Sequence, residues 1–128
     1  MHALLNVATI AAHRAGDSLI RNLNKLEKIK SKVTLKGRND FVSEADIIAE
    51  KIAIETILKH YPDHAILAEE SGQTGDSEYL WIIDPLDGTT NFLHGFPIFC
   101  VSIALMHNKK LIHAAVYDPV KQELFTAS

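Results

Sequence analysis

The hydrophobic pattern of this chain changes at Pro62, and that change limits the folds it can adopt. Before Pro62, apolar residues recur at steps of three and four, which is typical of amphipathic helices. After Pro62, the apolar runs are short and are bounded by Gly, Pro, Asn or Asp, as in β-strands. Helices followed by strands favour an α+β fold over an alternating α/β fold. The 128 residues are enough for one domain, which we place at residues 1–128.

Two helices are predicted in the first half. The apolar spacing places the first at about residues 3–25. Ser43 and the acid three residues later, Asp46, fit a capping box, so a second helix is expected to begin there and to end before Pro62. The stretch between the helices is rich in basic residues and turn formers. It is predicted to be a loop or hairpin with a short strand around residues 33–35.

Five strands are predicted in the second half. Short connections between the later strands make them antiparallel neighbours, so the sheet is expected to be mostly antiparallel. Several strands are apolar at most positions, which predicts that both faces of the sheet are covered. The predicted strands are residues 65–68, 79–83, 98–106, 111–117 and 123–126.

Charge and composition exclude several classes of protein. Lys and Arg number 13 against 16 Asp and Glu, for a net charge of −3, so nucleic-acid binding through a basic face is not indicated. The N-terminus lacks the pattern of a secretory signal, and no apolar run approaches the roughly 20 residues of a membrane span. The single cysteine, Cys100, cannot form an internal disulfide. We therefore expect a soluble, cytoplasmic protein without a membrane partner.

The segment after strand 79–83 predicts a metal site. It begins Asp84-Pro85-Leu86-Asp87, and a proline restricts its own backbone and that of the residue before it. The resulting turn can bring Asp84, the Leu86 carbonyl and Asp87 to a common side. Such oxygen ligands suit Mg²⁺, and a cation would relieve the repulsion between the carboxylates.

The next residues predict an anion site beside the metal. Gly88 and Thr89 begin a stretch of small and cap-forming residues that can present several backbone N–H groups at the start of a helical turn. Carboxylates for a cation followed directly by amides for a phosphate indicate metal-assisted phosphoryl transfer to water.

Two further acidic groups follow the same pattern. Glu69 and Glu70 come directly after strand 65–68, and Asp46 lies at the predicted start of the second helix. Each group also has a plain structural interpretation: a turn rich in turn formers around Asp84, solvated acids at Glu69 and Glu70, and a first-turn helix acid at Asp46. The presence of all three together favours a functional site.

These segments resemble the inositol monophosphatase family, whose members are magnesium-dependent, lithium-sensitive phosphomonoesterases. The resemblance implies the layered sugar-phosphatase fold, with two helices packed on a mostly antiparallel sheet, and a homodimer. It is strongest in the bacterial members and depends on four segments: residues 81–92, 68–72, 39–46 and 117–119.

The resemblance also implies a set of metal ligands. Glu69, Asp84 and the Leu86 carbonyl would hold a first Mg²⁺, and Asp84 and Asp87 would share a second. Glu70 would act as an outer or water-mediated partner.

Catalytic and substrate-binding roles follow from the same resemblance. Asp46 and Thr89 would orient and help deprotonate the water that attacks the phosphorus. Gly88 and Thr89 would bind the substrate phosphate through their backbone amides. The positions expected to contact the substrate are Glu69, Leu86, Asp87, Gly88 and Thr89.

The chain departs from the family in length. Family members are about twice as long, and their second half supplies another metal-ligating aspartate and the residues that hold the substrate hydroxyls. We therefore interpret the sequence as the N-terminal half of such an enzyme and expect this half alone to associate, to bind Mg²⁺ weakly and to show little or no activity.

The expected function of the whole protein is hydrolysis of inositol monophosphate or a similar small phosphomonoester. A nucleotide bisphosphatase, a fructose bisphosphatase or a histidinol-phosphate phosphatase of the same fold would share the motif. A regulatory or binding module is the alternative from another class, because some bacterial relatives are thought to act on the transcription machinery.

Overall fold

The computed structural model describes residues 3–29, 32, 34–87 and 99–128. Within them, two helices precede six strands, so the α+β prediction is confirmed. Neither helix has the length and apolar character needed to cross a membrane. The elements are α1 (Ala3–Ile29), α2 (Leu35–His60), β1 (Ala65–Ala68), β2 (Gly72–Thr74), β3 (Tyr79–Asp87), β4 (Cys100–His107), β5 (Lys110–Asp118) and β6 (Glu123–Ala127).

Helix α1 packs on both α2 and the sheet. Its buried face includes Leu19 and several alanines, which let the neighbouring backbones approach closely. A Cβ added at Gly16 would lie 2.7 Å from a ring carbon of Tyr117 on β5, so only glycine fits at this crossing without a shift. The helix continues four residues beyond the predicted end at residue 25, because Leu26 still lies on the buried face.

Helix α2 begins earlier than predicted. Thr34 is its N-cap, and the Thr34 hydroxyl accepts a hydrogen bond from the Gly37 amide at 3.1 Å. The capping box at Ser43 is wrong, since Ser43 lies exposed inside the helix. The loop or hairpin with a strand around residues 33–35 is wrong for the same reason, although residue 33 itself lies outside the described residues. Val42 is buried against the core, and this burial stabilises the additional turns at the start of α2.

The strands form one sheet in the order β2-β1-β3-β4-β5-β6. β1 has the predicted bounds, and β3, β5 and β6 extend the predicted strands by one to four residues. β4 begins at Cys100 and ends at His107, so Phe99 lies outside the strand that was predicted to include it, and the predicted residue 98 lies outside the described part. β2 was not predicted. All neighbouring strands are antiparallel except β1 and β3, which are parallel.

The helices cover one face of this sheet. Alternate residues of β3, β4 and β5 on that face are buried, with Trp81, Ile103 and Ala115 at the centre of the core. Residues on the opposite face, such as Ile82 and Val116, are only half-buried. Among the described residues the two helices cover one face only, so cover of the second face, which we expect from the second half of a whole family member, stays a prediction.

An aromatic cluster joins the start of β1 to the start of β3. The Trp81 indole N–H donates to Nδ1 of His64 at 3.0 Å, and the His64 ring stacks between Tyr61 and Tyr79 at centroid distances of 4.6 Å. Burial lowers the pKa of His64, partly opposed by the charge of Asp63. The neutral imidazole is the form that accepts the indole hydrogen bond, so the cluster favours it.

Candidate metal centre

The parallel pairing of β1 and β3 brings two predicted ligands to one edge of the sheet. Ala68, the last residue of β1, pairs with Ile83 of β3. Glu69 and Asp84 are the next residues along the two strands. Because the two strands run parallel in this register, the two acids lie level with each other, Glu69 just beyond the end of β1 and Asp84 within β3.

Asp46 of α2 lies over this edge. One carboxylate oxygen from each of Asp46, Glu69 and Glu70 can be chosen so that all three lie within 4.8 Å of one another. Asp46 is 9% exposed, whereas Glu69 and Glu70 are exposed. It is not a first-turn helix acid, since α2 begins at Leu35. The structure thus brings together three acids that the sequence places in two separate segments.

Burial and neighbouring charge raise the pKa of Asp46 to about 7, from an ordinary value of 3.8. Burial is the largest cause, and the negative charges of Glu69, Glu70, Asp84 and Glu50 add to it in that order. Asp84 is therefore close enough to act electrostatically on Asp46.

The environment of Asp46 fits a bound cation. Its Oδ1 atom is buried and has no hydrogen-bond partner among the described residues. A buried polar atom without a partner costs free energy, and so does crowding of carboxylates. A cation would offset both costs. The donors are all carboxylate oxygens, which suit a hard ion such as Mg²⁺ or Ca²⁺ better than a soft metal.

The turn predicted at Asp84-Pro85 is wrong, because these residues lie within a strand. β3 continues through Pro85 to Asp87, and its pairing with β4 shifts between Asp84 and Asp87. Asp84 pairs with Ser102 and Asp87 with Cys100, so three steps on β3 oppose two on β4, as in a β-bulge. Pro85 has no N–H to donate to the ladder, which accounts for the irregularity.

The remaining predicted residues are only partly described. Leu86 is buried at the bulge. The Asp87 backbone ends β3, whereas its side chain, Gly88 and Thr89 lie outside the described residues. Their predicted roles remain predictions. Glu70, expected only as an outer partner, offers an oxygen within 4.8 Å of those of Asp46 and Glu69.

Sequence reasoning missed Glu50. This residue lies one helical turn after Asp46, is 2% exposed, and accepts hydrogen bonds from the Glu70 amide and the Ser71 hydroxyl. Its position in the sequence could have revealed it. A glutamate between Ala49 and Ala53 on the buried face of α2 needs hydrogen-bond donors.

The raised pKa of Asp46 makes the metal-free protein sensitive to pH. Between about pH 4 and pH 7 the folded state binds more protons at Asp46 than the unfolded state, so this residue lowers stability as the pH rises. Asp46→Asn cannot titrate and is expected to remove that component. Urea unfolding in EDTA at pH 5 and pH 8 measures it: wild type should lose more stability than the variant over this interval. An equal change in both proteins would contradict the shift.

The whole chain, residues 1–128, matches the inositol monophosphatase family. The Nus factor SuhB of Vibrio cholerae is 52% identical over 129 residues, an alignment that covers 99% of this chain and 48% of that protein. The Nus factor SuhB of Escherichia coli is 45% identical over 130 residues and is covered to the same 48%. The chain spans about half the length of the curated relatives it matches.

Solved structures give the same result. The extragenic suppressor protein suhB from Bartonella henselae superimposes with a TM-score of 0.85 at 43% identity, covering 99% of this chain and 48% of that one. The inositol monophosphatase from Anabaena superimposes with a TM-score of 0.81 at 42% identity, covering 98% and 43%. The fold, the acidic edge of the sheet and these matches agree, and the chain belongs to the inositol monophosphatase family.

Proposed function

We propose that this chain is the N-terminal half of a magnesium-dependent phosphomonoesterase that hydrolyses inositol monophosphate or a similar small substrate. The observation that carries the proposal is a buried carboxylate oxygen of Asp46 that lies within a cluster of acids and has no hydrogen-bond partner in the part of the chain that the structure describes, in a chain of the inositol monophosphatase family. A cation would stabilise the ionised form of an acid held this way, and a phosphatase site supplies one.

Glu69, Asp84 and the Leu86 carbonyl would hold the first Mg²⁺, and Asp84 and Asp87 would share a second. Glu69 directly follows β1 and Asp84 is the corresponding residue within β3, which supports their acting together. Glu70 is a further candidate ligand because its oxygen lies in the same cluster. Bound Mg²⁺ supplies an acidified water and stabilises negative charge on the phosphoryl group.

Asp46 and Thr89 would orient the attacking water. Asp46 lies in the same cluster as Glu69 and Glu70, which suits it to orient a water beside the cation and to help remove its proton. The backbone amides of Gly88 and Thr89 would hold the substrate phosphate, and Glu69, Leu86 and Asp87 would line the same space.

The substrate and the cellular setting belong to this proposal as well. Nucleotide bisphosphate, fructose bisphosphate and histidinol phosphate remain alternative substrates, because the acidic edge alone does not select among them. We propose that the whole protein is a lithium-sensitive cytoplasmic homodimer without a membrane or direct nucleic-acid partner. Its transcription-related relatives favour a second function, described next.

A second candidate function is action on the transcription machinery. Several curated relatives carry the name Nus factor SuhB, and two of them are 52% and 45% identical to this chain. Under this hypothesis the fold would serve as a protein-binding surface, and catalysis would be secondary.

Phosphate release by the whole protein tests the leading proposal. Inositol monophosphate is expected to give the highest kcat/KM among the four substrate classes, with activity that requires Mg²⁺ and is lost in EDTA. If no phosphomonoester is turned over at saturating Mg²⁺, the enzymatic proposal fails. Co-purification of the inactive protein with transcription complexes would then favour the second function.

A further inference from the structure

Glu50 links two parts of the acidic cluster. Its Oε1 accepts the backbone N–H of Glu70 at 2.9 Å, and its Oε2 accepts the hydroxyl of Ser71 at 2.6 Å. Both partners lie in the turn after β1, which also contains Glu69. Hydrogen bonds to a buried carboxylate are short and strong, so this turn is tied to α2 at two points.

The same helix carries Asp46. Asp46 and Glu50 are four residues apart, and residues at this spacing lie on one face of a helix. Glu50 therefore connects the turn that bears Glu69 and Glu70 to the helix face that bears Asp46. Among the described residues, the two hydrogen bonds to Glu50 are the ones that hold this turn against α2.

We propose that Glu50 is a positioning residue that holds the turn of Glu69 and Glu70 at the distance from Asp46 needed to bind one cation. This inference rests on the proposed metal site. We assign Glu50 to holding the turn and not to the cation, because the oxygens that cluster within 4.8 Å of one another belong to Asp46, Glu69 and Glu70 and those of Glu50 hold the turn. Partners that orient metal ligands in this way contribute substantially to affinity.

Substitution by glutamine separates positioning from charge. A glutamine amide can accept the Glu70 N–H through its oxygen, and its NH₂ group can donate to the Ser71 oxygen after the hydroxyl rotates. Glu50→Gln therefore keeps both contacts and loses the negative charge, whereas Glu50→Ala loses both contacts. Glu55→Ala, an exposed position later on α2, is the matched control.

Two measurements on the 128-residue chain test the proposal: amide hydrogen exchange at Glu70 in the metal-free protein, and the Kd for Mn²⁺, a paramagnetic probe for the Mg²⁺ site. Glu50→Ala is expected to speed the Glu70 exchange and to raise the Kd by about 10- to 100-fold. Glu50→Gln and Glu55→Ala should remain close to wild type in both measurements.

Two results would overturn the proposal: a folded Glu50→Ala protein that binds Mn²⁺ like wild type, or a Glu50→Gln protein as weak as Glu50→Ala. If Glu50→Ala does not fold, Ser71→Ala decides, because it removes one of the two contacts at an exposed position. In Ser71→Ala, faster amide exchange at Glu70 together with a higher Kd for Mn²⁺ supports the positioning role of Glu50. No change in either measurement overturns that role.

Failure of the proposed function has a different signature. The wild-type chain would then bind no Mn²⁺ at this cluster, and the Asp46→Asn protein would behave identically. The effect of Glu50→Ala on Glu70 exchange in the metal-free protein would persist, because it depends on the hydrogen bonds alone.

Discussion

Asp84→Asn in the whole protein is expected to lower magnesium-dependent phosphate release by at least about 100-fold, equivalent to about 2.7 kcal/mol of transition-state stabilisation. Asp84 lies on β3 level with Glu69 and adds to the negative charge around Asp46. Asparagine has nearly the same shape and keeps the backbone pairing with Ser102, so the fold should survive. Steady-state kinetics across a Mg²⁺ titration measure the loss, and circular dichroism checks the fold.

Asp76→Asn is the matched control for this prediction. Asp76 is exposed in the connection between β2 and β3, at the end of β3 opposite Asp84, and makes the same change of charge. Its activity should equal that of wild type. An Asp84→Asn protein with near-wild-type turnover at saturating Mg²⁺ would reject the metal assignment of Asp84.

The 128-residue chain by itself is expected to associate in solution. The sheet face opposite the helices carries half-buried apolar side chains such as Ile82 and Val116, and Phe125 beside Val116 is 61% exposed. Leu111 on β5 is 58% exposed. Contiguous apolar surface and an open edge strand both promote association. Sedimentation velocity over a range of concentrations should show species larger than a monomer.

Substitutions on β6 distinguish the face from the edge. Phe125→Lys places a charge on the open face and should shift the chain toward monomer. Thr126→Lys adds the same charge to the same strand on the other face and should have a smaller effect. Equal effects would assign the association to edge pairing, and a wild-type chain that stays monomeric at all concentrations would contradict the prediction.

Local signals predicted five of the six strands in the described residues, because turn-forming residues lie near the ends of those five. β1 lies between the turn after Pro62 and the acids at Glu69, and its bounds were predicted without error. The start of α2 was predicted wrongly, because Thr34 and Ser43 are both residue types that suit an N-cap. Burial of Val42 and Ala45 against the core decides between them, and that contact depends on tertiary structure.

The site shows the same division between local and tertiary information. Asp46, Glu69 and Asp84 were found from their places relative to helices and strands. Their proximity depends on the parallel pairing of β1 and β3, which a mostly antiparallel prediction did not include. Glu50 was missed because its partners lie 20 and 21 residues away, beyond the reach of any local pattern.

The hydrogen bond between Trp81 and His64 has a practical consequence. Trp81 is the only tryptophan in the sequence, is fully buried, and precedes Asp84 by three residues on the same strand. Indole emission depends on burial and on hydrogen bonding, so the tryptophan fluorescence of this chain reports on one position near the acidic edge. Unfolding, opening of the His64 contact and rearrangement of β3 can each be followed in every variant discussed above without attaching a label.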